Sequence, residues 1–381
     1  MDNKKVPGTK ISSRLVFLIL GSSVAMGANG ETKQDSWIAV VAATGAALLL
    51  AWLYSAVLRL HPGKNMFDIF VDVFGNIGGK IVCALYVIYT VYLGARIFSL
   101  YDNFIRIVNL DSTPIAAILL ISVPLIAGLV KCGLKNMGSC AKFLIVIVFL
   151  MTAITVVLGA RFMDLGNIKP ILVASPKAML STVFAYLTLP LGEIVVGMSF
   201  FGEIDQKESP FRILSKGVLI GGAFLTVISL RNLLLLGSTT CRLFLFTSYD
   251  AVGVISIGDF VTRISVFIGV EMTLTGVIKL SVFTYSTTLG VSKILGLKKF
   301  LQPAAPCCVL MAALSMTLYS NFLTEMNFQK YVSLIDIPFQ LIFPVVTLIV
   351  GRIRQGGRKK DAAKKAAPVK EAAPAPKEPA L

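Results

Sequence analysis

The chain of 381 residues is 56% hydrophobic, contains only 15% charged residues and has a formal net charge of +16. So apolar a composition excludes a water-soluble globular protein of this length and indicates a membrane protein with several spans. The positive charge does not indicate a nucleic-acid partner, because the basic residues lie in alternate loops and in the C-terminal tail, as membrane topology requires.

Apolar runs of roughly 20 residues, the length that a helix needs to cross a bilayer, predict an all-α polytopic protein with ten transmembrane helices. We place them at 11–28, 37–60, 80–107, 113–130, 138–160, 179–201, 214–237, 261–289, 303–320 and 332–352. If residues 1–10 are cytoplasmic, the inside segments hold about three times as many Lys and Arg residues as the outer loops. This bias predicts that both termini are cytoplasmic.

The first predicted span has small and polar residues where a continuous Leu/Ile run is expected. Gly21, Ser22 and Ser23 lie in the middle of the apolar run 15–28, so we expect a broken helix. The basic start and the short apolar run also resemble a cleavable signal peptide. Cleavage would remove one helix and break the alternation of charge between the loops, so we favour a retained span.

The third predicted span follows a semi-apolar segment, 66–80, for which we expect a short helix at the cytoplasmic interface. Within the span, Tyr86, Tyr89 and Arg96 lie close to one stripe at helical spacing. Two interpretations stay open for this stripe. It either packs against neighbouring helices with the arginine reaching toward the outer interface, or it lines a cavity.

The sixth predicted span is interrupted near its middle by Pro190, Gly192 and Glu193. Proline removes a backbone donor, and in hydrocarbon the freed carbonyls and amides must find partners inside the protein. Two helices interrupted at matching positions of two halves are the sequence feature that best indicates a transporter binding site. The predicted ligand site comprises Gly21, Ser22, Ser23, Pro190, Gly192 and Glu193, with Tyr89 as a wall. Half-helix N-termini at these breaks suit a carboxylate, which favours a small amino acid.

Charged residues inside spans cost roughly 2.5–3.5 kcal/mol each at the bilayer centre, so we expect Glu193, Glu271 and Lys279 to face protein or water. Glu193 is interpreted as a proton-linked group or a partner for a ligand ammonium, or as a neutral carboxyl bonded to a neighbouring helix. Lys279 is interpreted as a built-in cation whose charge is satisfied by carbonyls at the Gly21 break, or as a side chain that snorkels to the cytoplasmic interface. Glu271 is predicted to be a second coupling group.

The other sequence features do not predict a disulfide framework, a metal site or a catalytic site. The six cysteines predict no disulfide framework, and the single histidine, His61, cannot build a zinc site or a catalytic triad. Residues 74–81 resemble a phosphate loop by eye but fail its spacing. We therefore expect neither an enzyme nor a bound metal or cofactor. The Ala/Pro/Lys tail, 355–381, is predicted to be disordered and attracted to anionic lipid.

Several segments, taken in series, resemble the GerAB-type endospore germination permeases, the B subunits of spore germinant receptors in the amino acid/polyamine/organocation superfamily. The segments are QDSWIAV (34–40), PGKNMFDIFVDVFG (62–75), GKIVCALYVIY (79–89), LPLGEIVVGM (189–198), LRNLLLLG (230–237), SYDAVGVISIGDFVTRI (248–264), GVIKLSVFTY (276–285) and DIPFQLIFPVVTLIVGRIR (336–354). The resemblance covers about residues 8–354. Thr247 departs from it, where proline is expected, and so does the basic tail.

This resemblance implies a LeuT-like fold within residues 11–354, built from two inverted five-helix repeats, 11–160 and 179–352, with broken helices one and six. It also implies location in the spore inner membrane and a nutrient germinant detected together with an A subunit and a lipoprotein C subunit. An amino acid symporter with the same fold is the alternative function. A purely structural scaffold is disfavoured by the cost of the charges in mid-span.

Overall fold

The computed structural model describes residues 6–26, 31–108, 114–204, 208–255, 264–319 and 321–366. These residues are almost entirely helical, and an isolated β-bridge pairs Val6 with Ile204. The α-helices are α1 (Gly8–Leu20), α2 (Ser23–Met26), α3 (Ser36–Leu60), α4 (Met66–Val108), α5 (Ile115–Lys131), α6 (Gly133–Gly159), α7 (Pro176–Thr188), α8 (Pro210–Cys241), α9 (Thr247–Gly253), α10 (Val266–Leu295), α11 (Ala304–Leu318), α12 (Phe322–Ile337) and α13 (Phe343–Ala366). A 3₁₀-helix, Leu191–Glu203, follows α7, and a π-helix, Pro338–Ile342, joins α12 to α13.

Each predicted span coincides with helical structure. Among the described residues, seven helices are long and apolar enough to cross a membrane, or eight when α11 and the bent segment Leu323–Gln329 of α12 are counted together as one span. The remaining two predicted spans correspond to the interrupted pair α1–α2 and to the shorter helix α5. Parts of the predictions lie outside the described residues, namely 1–5, 27–28, 113, 256–263, 320 and 367–381.

The interrupted first helix lies at the centre of the molecule. α1 packs against α6, α8, α10 and the 3₁₀-helix, and Leu15 to Leu20 are completely shielded from solvent. Glycines allow this close packing, since a Cβ at Gly217 of α8 would lie 2.6 Å from the Leu15 Cβ. A helix enclosed on all sides by other helices has no lipid-facing stripe, so its polar break opens into protein rather than into hydrocarbon.

The helix that contains the third span, α4, begins at Met66 and includes the segment predicted as a separate short helix. Its first turns follow Asn65, whose side-chain oxygen accepts hydrogen bonds from the Phe67 and Asp68 amides. The chain then bends at Gly75, which has a φ of +81° that favours glycine. The expected short helix therefore exists as the first arm of α4, and the long second arm crosses the membrane.

The tenth span is not a continuous α-helix. The π-helix Pro338–Ile342 interrupts it, and two tyrosine hydroxyls bind the carbonyls of this segment. Tyr86 donates to the Phe339 carbonyl at 2.6 Å and Tyr54 to the Gln340 carbonyl at 2.7 Å. Beyond it, α13 continues to Ala366, although the sequence predicted disorder from residue 355. Alanine and lysine are strong helix formers, so the first part of the tail extends the helix.

Candidate ligand site between two broken helices

The first break separates α1 from α2 at Gly21 and Ser22. The carbonyl of Gly21 accepts a hydrogen bond from the Tyr101 hydroxyl of α4 at 2.7 Å. The same hydroxyl lies 2.5 Å from the Met272 carbonyl of α10, so one tyrosine bridges the break to a neighbouring span. A Cβ at Gly21 would lie 2.5 Å from the Lys279 Cδ. Only glycine therefore lets the side chain of Lys279 approach the break this closely.

The second break lies between α7, which ends at Thr188, and the 3₁₀-helix that starts at Leu191. The freed carbonyl of Thr188 accepts a hydrogen bond from Gln340 Nε2 at 2.9 Å. A Cβ at Gly192 would collide with Gln340 Oε1, so glycine is required where span six meets the π-helix of span ten. Side chains from other helices thus satisfy carbonyls at both breaks, as a low-dielectric surrounding demands.

A buried ion pair joins the two breaks. Lys279 Nζ lies 2.5 Å from Glu193 Oε2 of the 3₁₀-helix and donates to Ser22 Oγ at 2.9 Å. The Lys279 side chain is 0% exposed and that of Glu193 is 1% exposed, so Lys279 does not snorkel to the cytoplasmic interface. Its charge is satisfied by a carboxylate and a hydroxyl rather than by the carbonyls expected at the Gly21 break. The sequence did not predict Glu193 as the partner of Lys279, and the role of Lys279 as a built-in cation stays a prediction.

Tyr89 lies beside the second break, with its hydroxyl already engaged. It donates to Asp336 Oδ1 at 3.1 Å and accepts from Gln340 Nε2 at 3.0 Å, and its ring stacks on Phe339 with centroids 4.2 Å apart. Sequence reasoning missed Asp336 and Gln340. Asp336 could have been identified from the sequence, because a carboxylate inside the apolar run of predicted span ten costs as much free energy to bury as Glu193 does.

Arg96 faces the interior rather than the outer interface, whereas Tyr86 and Tyr89 of the same predicted stripe pack against Phe339, so each interpretation holds for part of the stripe. It lines a cavity of about 20 Å³ together with Ser22, Glu193 and Glu325. Gln329 and five apolar side chains complete the wall, the latter being Leu93, Ile97, Leu100, Leu189 and Met326. This volume accommodates about one water molecule, because a water needs roughly 10–15 Å³. An amino acid fits only after the surrounding helices separate.

Several buried polar atoms around the two breaks have no hydrogen-bond partner among the described residues. They are Glu193 Oε1, Arg96 Nε, Asp336 Oδ2 and Gln340 Oε1. Buried polar groups are normally paired, and a cluster of exceptions indicates a position for a ligand or ordered water. The remaining predicted residues, Ser23 and Pro190, are buried at the breaks themselves.

Glu271 belongs to a different cluster and does not share the environment of Lys279. Thr152 of α6 donates to Glu271 Oε1 at 2.9 Å, and Thr155, one turn further along, accepts from Arg231 Nη1 at 2.8 Å. Arg231 also binds Asn232 Oδ1, which connects this cluster to Ser248 of α9. Glu271 and Lys279, eight residues apart on α10, therefore belong to two separate polar clusters.

A second, larger cavity of about 570 Å³ lies at the end of the molecule that holds the predicted cytoplasmic loops. Asp68, Lys293 and Glu203 line it, and Glu203 accepts a hydrogen bond from Tyr285 at 3.1 Å. Tyr285 follows Lys279 by six residues on α10, about 9 Å along the helix. In the part of the chain that the structure describes, no three His, Cys, Asp or Glu side chains are grouped to hold a metal ion.

The fold is similar to that of a solved transporter. Mhp1, a nucleobase-cation-symport-1 family transporter solved in a closed conformation with bromovinylhydantoin bound, superposes with a TM-score of 0.61. The match covers 95% of this chain and 94% of that one at 12% sequence identity. It confirms the predicted LeuT-like fold with broken helices one and six. The residue boundaries of the two repeats stay a prediction.

Sequence comparison identifies the family. Spore germination protein KB of Bacillus subtilis (strain 168) is 25% identical over 367 residues, which covers 94% of this chain and 98% of that protein. The putative spore germination protein YfkT of the same organism is 22% identical over 326 residues, or 84% and 88% of the two chains. The family model described as "Spore germination protein" matches residues 5–323. This integral membrane protein therefore belongs to the spore germination protein family of permeases.

Proposed function

We propose that the chain is the membrane B subunit of a spore germinant receptor and that a small nutrient, an amino acid, binds between the two breaks to trigger germination. The observation that carries this proposal is the set of buried polar atoms without partners around the breaks of spans one and six. Such atoms are costly in a membrane unless a ligand or water binds them.

The contacts of Lys279 suggest how binding changes conformation. Lys279 ties α10 to both breaks, through Ser22 of span one and Glu193 of span six. A ligand that bonds to either partner competes with the ammonium of Lys279 and favours a state in which the helices are further apart. A ligand shifts a conformational equilibrium only by its difference in affinity for the two states. We propose that this difference in affinity comes from the contacts that the ligand makes at the two breaks.

The remaining parts of the proposal follow from the family. We place the protein in the spore inner membrane with both termini in the cytoplasm, and we propose that an A subunit and a lipoprotein C subunit read its conformation. The charge bias of the loops supports this orientation.

A permease that moves an amino acid across the membrane is the second candidate. The cavity of about 570 Å³ favours it, because a ligand released from the breaks toward Tyr285 and Glu203 would reach that space. Both candidates use the same ligand site, and they differ in whether flux accompanies binding.

Binding and flux can be measured on the same preparation. Purified protein is screened against single amino acids and sugars by equilibrium dialysis, and uptake of each bound compound is then followed in reconstituted vesicles. We expect binding that Glu193→Gln weakens at least tenfold, with uptake no higher than in protein-free vesicles. Saturable uptake would support the permease, and tight binding that is indifferent to Glu193→Gln would place the ligand elsewhere.

A further inference from the structure

The loop between α6 and α7, residues 161–175, exposes a row of apolar side chains on the side of the molecule that the charge pattern predicts to be outside. We call these side chains the apolar patch: Phe162, Leu165, Ile171, Leu172 and Val173. Leu172 is 72% exposed. Exposed apolar patches mark sites where a protein contacts a partner or a membrane.

A buried carboxylate holds the backbone behind the apolar patch. Asp35 is 0% exposed and accepts hydrogen bonds from three consecutive backbone amides, those of residues 172–174, at 2.7–2.8 Å. Gln34 Nε2 donates to the Pro170 carbonyl at 3.1 Å. Leu172 has a φ of +61°, a conformation that leucine rarely adopts and that persists only where its surroundings impose it. The backbone therefore turns its polar groups inward and its apolar side chains outward.

The contacts of the loop place it at the boundary of the bilayer. Asp35 immediately precedes span two, whose first residues include Trp37, a residue type common at membrane interfaces. On the other side of the loop, the Asp164 amide and the Asn167 side chain both donate to the carbonyl of Leu234, near the predicted end of span seven. The apolar patch therefore lies at the level where the spans begin and end.

The apolar patch also continues the exposed apolar faces of the two flanking helices. On α6, exposed apolar side chains follow one another at intervals of three or four residues, which is one face of a helix. They are Phe143, Val146, Leu150, Ile154 and Val157. Leu180 and Phe184 are exposed on α7, beyond the loop. Such faces contact lipid in a membrane protein, so the loop that joins them adjoins lipid as well.

The charges beside the apolar patch are mostly positive. Three exposed basic residues flank it: Arg161, Lys169 and Lys177. The same segment contains one carboxylate, Asp164. In the neighbouring loop the charges of Glu31 and Lys33 cancel, and the buried carboxylate of Asp35 binds the three amides described above. The surface formed by these two loops therefore attracts anions.

We propose that the apolar patch inserts into the membrane interface and that the three basic residues beside it bind the headgroups of anionic phospholipids. Apolar side chains combined with Lys and Arg are the composition of interfacial membrane anchors. A loop whose amides are satisfied from inside the protein can enter an apolar medium at little cost. The loop leads directly into α7, so this contact with lipid fixes the half of span six that ends at the second break. The inference goes beyond the proposed function, because it requires neither a germinant nor a partner subunit.

Tryptophan fluorescence tests the insertion. Trp37 and Trp52 are replaced by phenylalanine, and Leu172→Trp is introduced into the full-length protein, with one copy in each lipid nanodisc. Lipids brominated in the acyl chains quench a tryptophan that touches them, whereas acrylamide quenches a tryptophan in water. We expect brominated lipid to remove more than half of the Leu172→Trp emission and acrylamide to remove little. Val173→Trp is the second reporter if Leu172→Trp does not fold, and Glu31→Trp, on an exposed residue of the neighbouring loop, should show the opposite order.

A comparison of headgroups tests the basic residues. At the same mole fraction, brominated phosphatidylglycerol should quench Leu172→Trp at least twofold more strongly than brominated phosphatidylcholine. Simultaneous replacement of the three flanking basic residues by glutamine should abolish this preference and leave quenching by phosphatidylcholine in place. The matched control replaces three exposed lysines of a predicted cytoplasmic segment by glutamine and should keep the preference: Lys131, Lys135 and Lys142.

Three results would contradict the proposal. Quenching of Leu172→Trp and Val173→Trp by acrylamide, but not by brominated lipid, would place the apolar patch in water. Equal quenching by the two headgroups would show that the basic residues do not select anionic lipid. Protection from both quenchers that appears only after a second protein is added to the nanodiscs would identify a protein partner for this surface in place of lipid.

Discussion

The ammonium of Lys279 lies 2.5 Å from Glu193 Oε2, and neither side chain is more than 1% exposed. With Ser22 as its second partner, Lys279 holds α10 against both interrupted helices. A buried ion pair adds little net stability, but removal of one partner leaves the other charge without compensation.

Lys279→Met should abolish the germination response and destabilise the protein by about 3–5 kcal/mol, because it leaves the Glu193 carboxylate unpaired. Thermal unfolding in detergent measures the loss. The double variant Lys279→Met with Glu193→Gln should recover part of the stability but not the response. Lys293→Met, on a half-exposed lysine of the same helix paired with Asp68, is the control and should cost at most about 1 kcal/mol. A double variant no more stable than Lys279→Met would argue against this pairing.

Gly192→Leu should block ligand binding while the protein still inserts in the membrane. A Cβ at Gly192 already collides with Gln340 Oε1, so a leucine must displace the contact between spans six and ten. Gly45→Leu is the matched control, since a Cβ at Gly45 meets open space. Membrane fractionation and ligand titration measure the two properties. Normal binding by Gly192→Leu would place the ligand site away from this break.

Tyr101→Phe removes the hydroxyl that lies between the Gly21 and Met272 carbonyls. An unsatisfied buried group costs about 1–3 kcal/mol, so we expect unfolding at a lower temperature and a weaker germination response. Tyr331→Phe, on an exposed tyrosine, should leave both unchanged. Equal unfolding temperatures for the two variants would mean that the first break does not depend on Tyr101.

Ligand binding should not require sodium. The ammonium of Lys279 already lies between the two breaks, and a metal cation placed beside it would meet a like charge. Titrations in sodium chloride and in choline chloride at the same ionic strength should therefore give the same affinity. A tenfold loss of affinity in choline chloride would refute the role of Lys279 as a built-in cation.

The sequence was sufficient to predict the spans and both breaks. Pro190, Gly192 and Glu193 are conspicuous because a helix breaker and a charge are unfavourable inside an apolar run of span length. The charge of Lys279 in predicted span eight is unfavourable for the same reason. The family resemblance supplied the LeuT-like fold. These features are local in the chain, which is why a pattern of residues indicates them.

Partners across helices could not be predicted in the same way. The carboxylate that pairs with Lys279 lies 86 positions away in the chain, and its choice depends on how α10 crosses the 3₁₀-helix. Of ten tyrosines, the sequence does not distinguish Tyr101, which binds the first break, from Tyr331, which is exposed on the surface. The π-helix and the position of Gln340 also depend on tertiary packing, so the sequence alone does not predict them.

The direct pairing of Lys279 with Glu193 has a consequence for the response to membrane voltage. A potential of 100 mV does about 2.3 kcal/mol of work on each elementary charge that crosses the membrane. For Lys279 and Glu193 moving together as a pair, the contributions of opposite sign cancel. Movement of this pair therefore does not by itself make ligand affinity depend on a potassium diffusion potential across vesicles, and it can proceed in a membrane that maintains no potential.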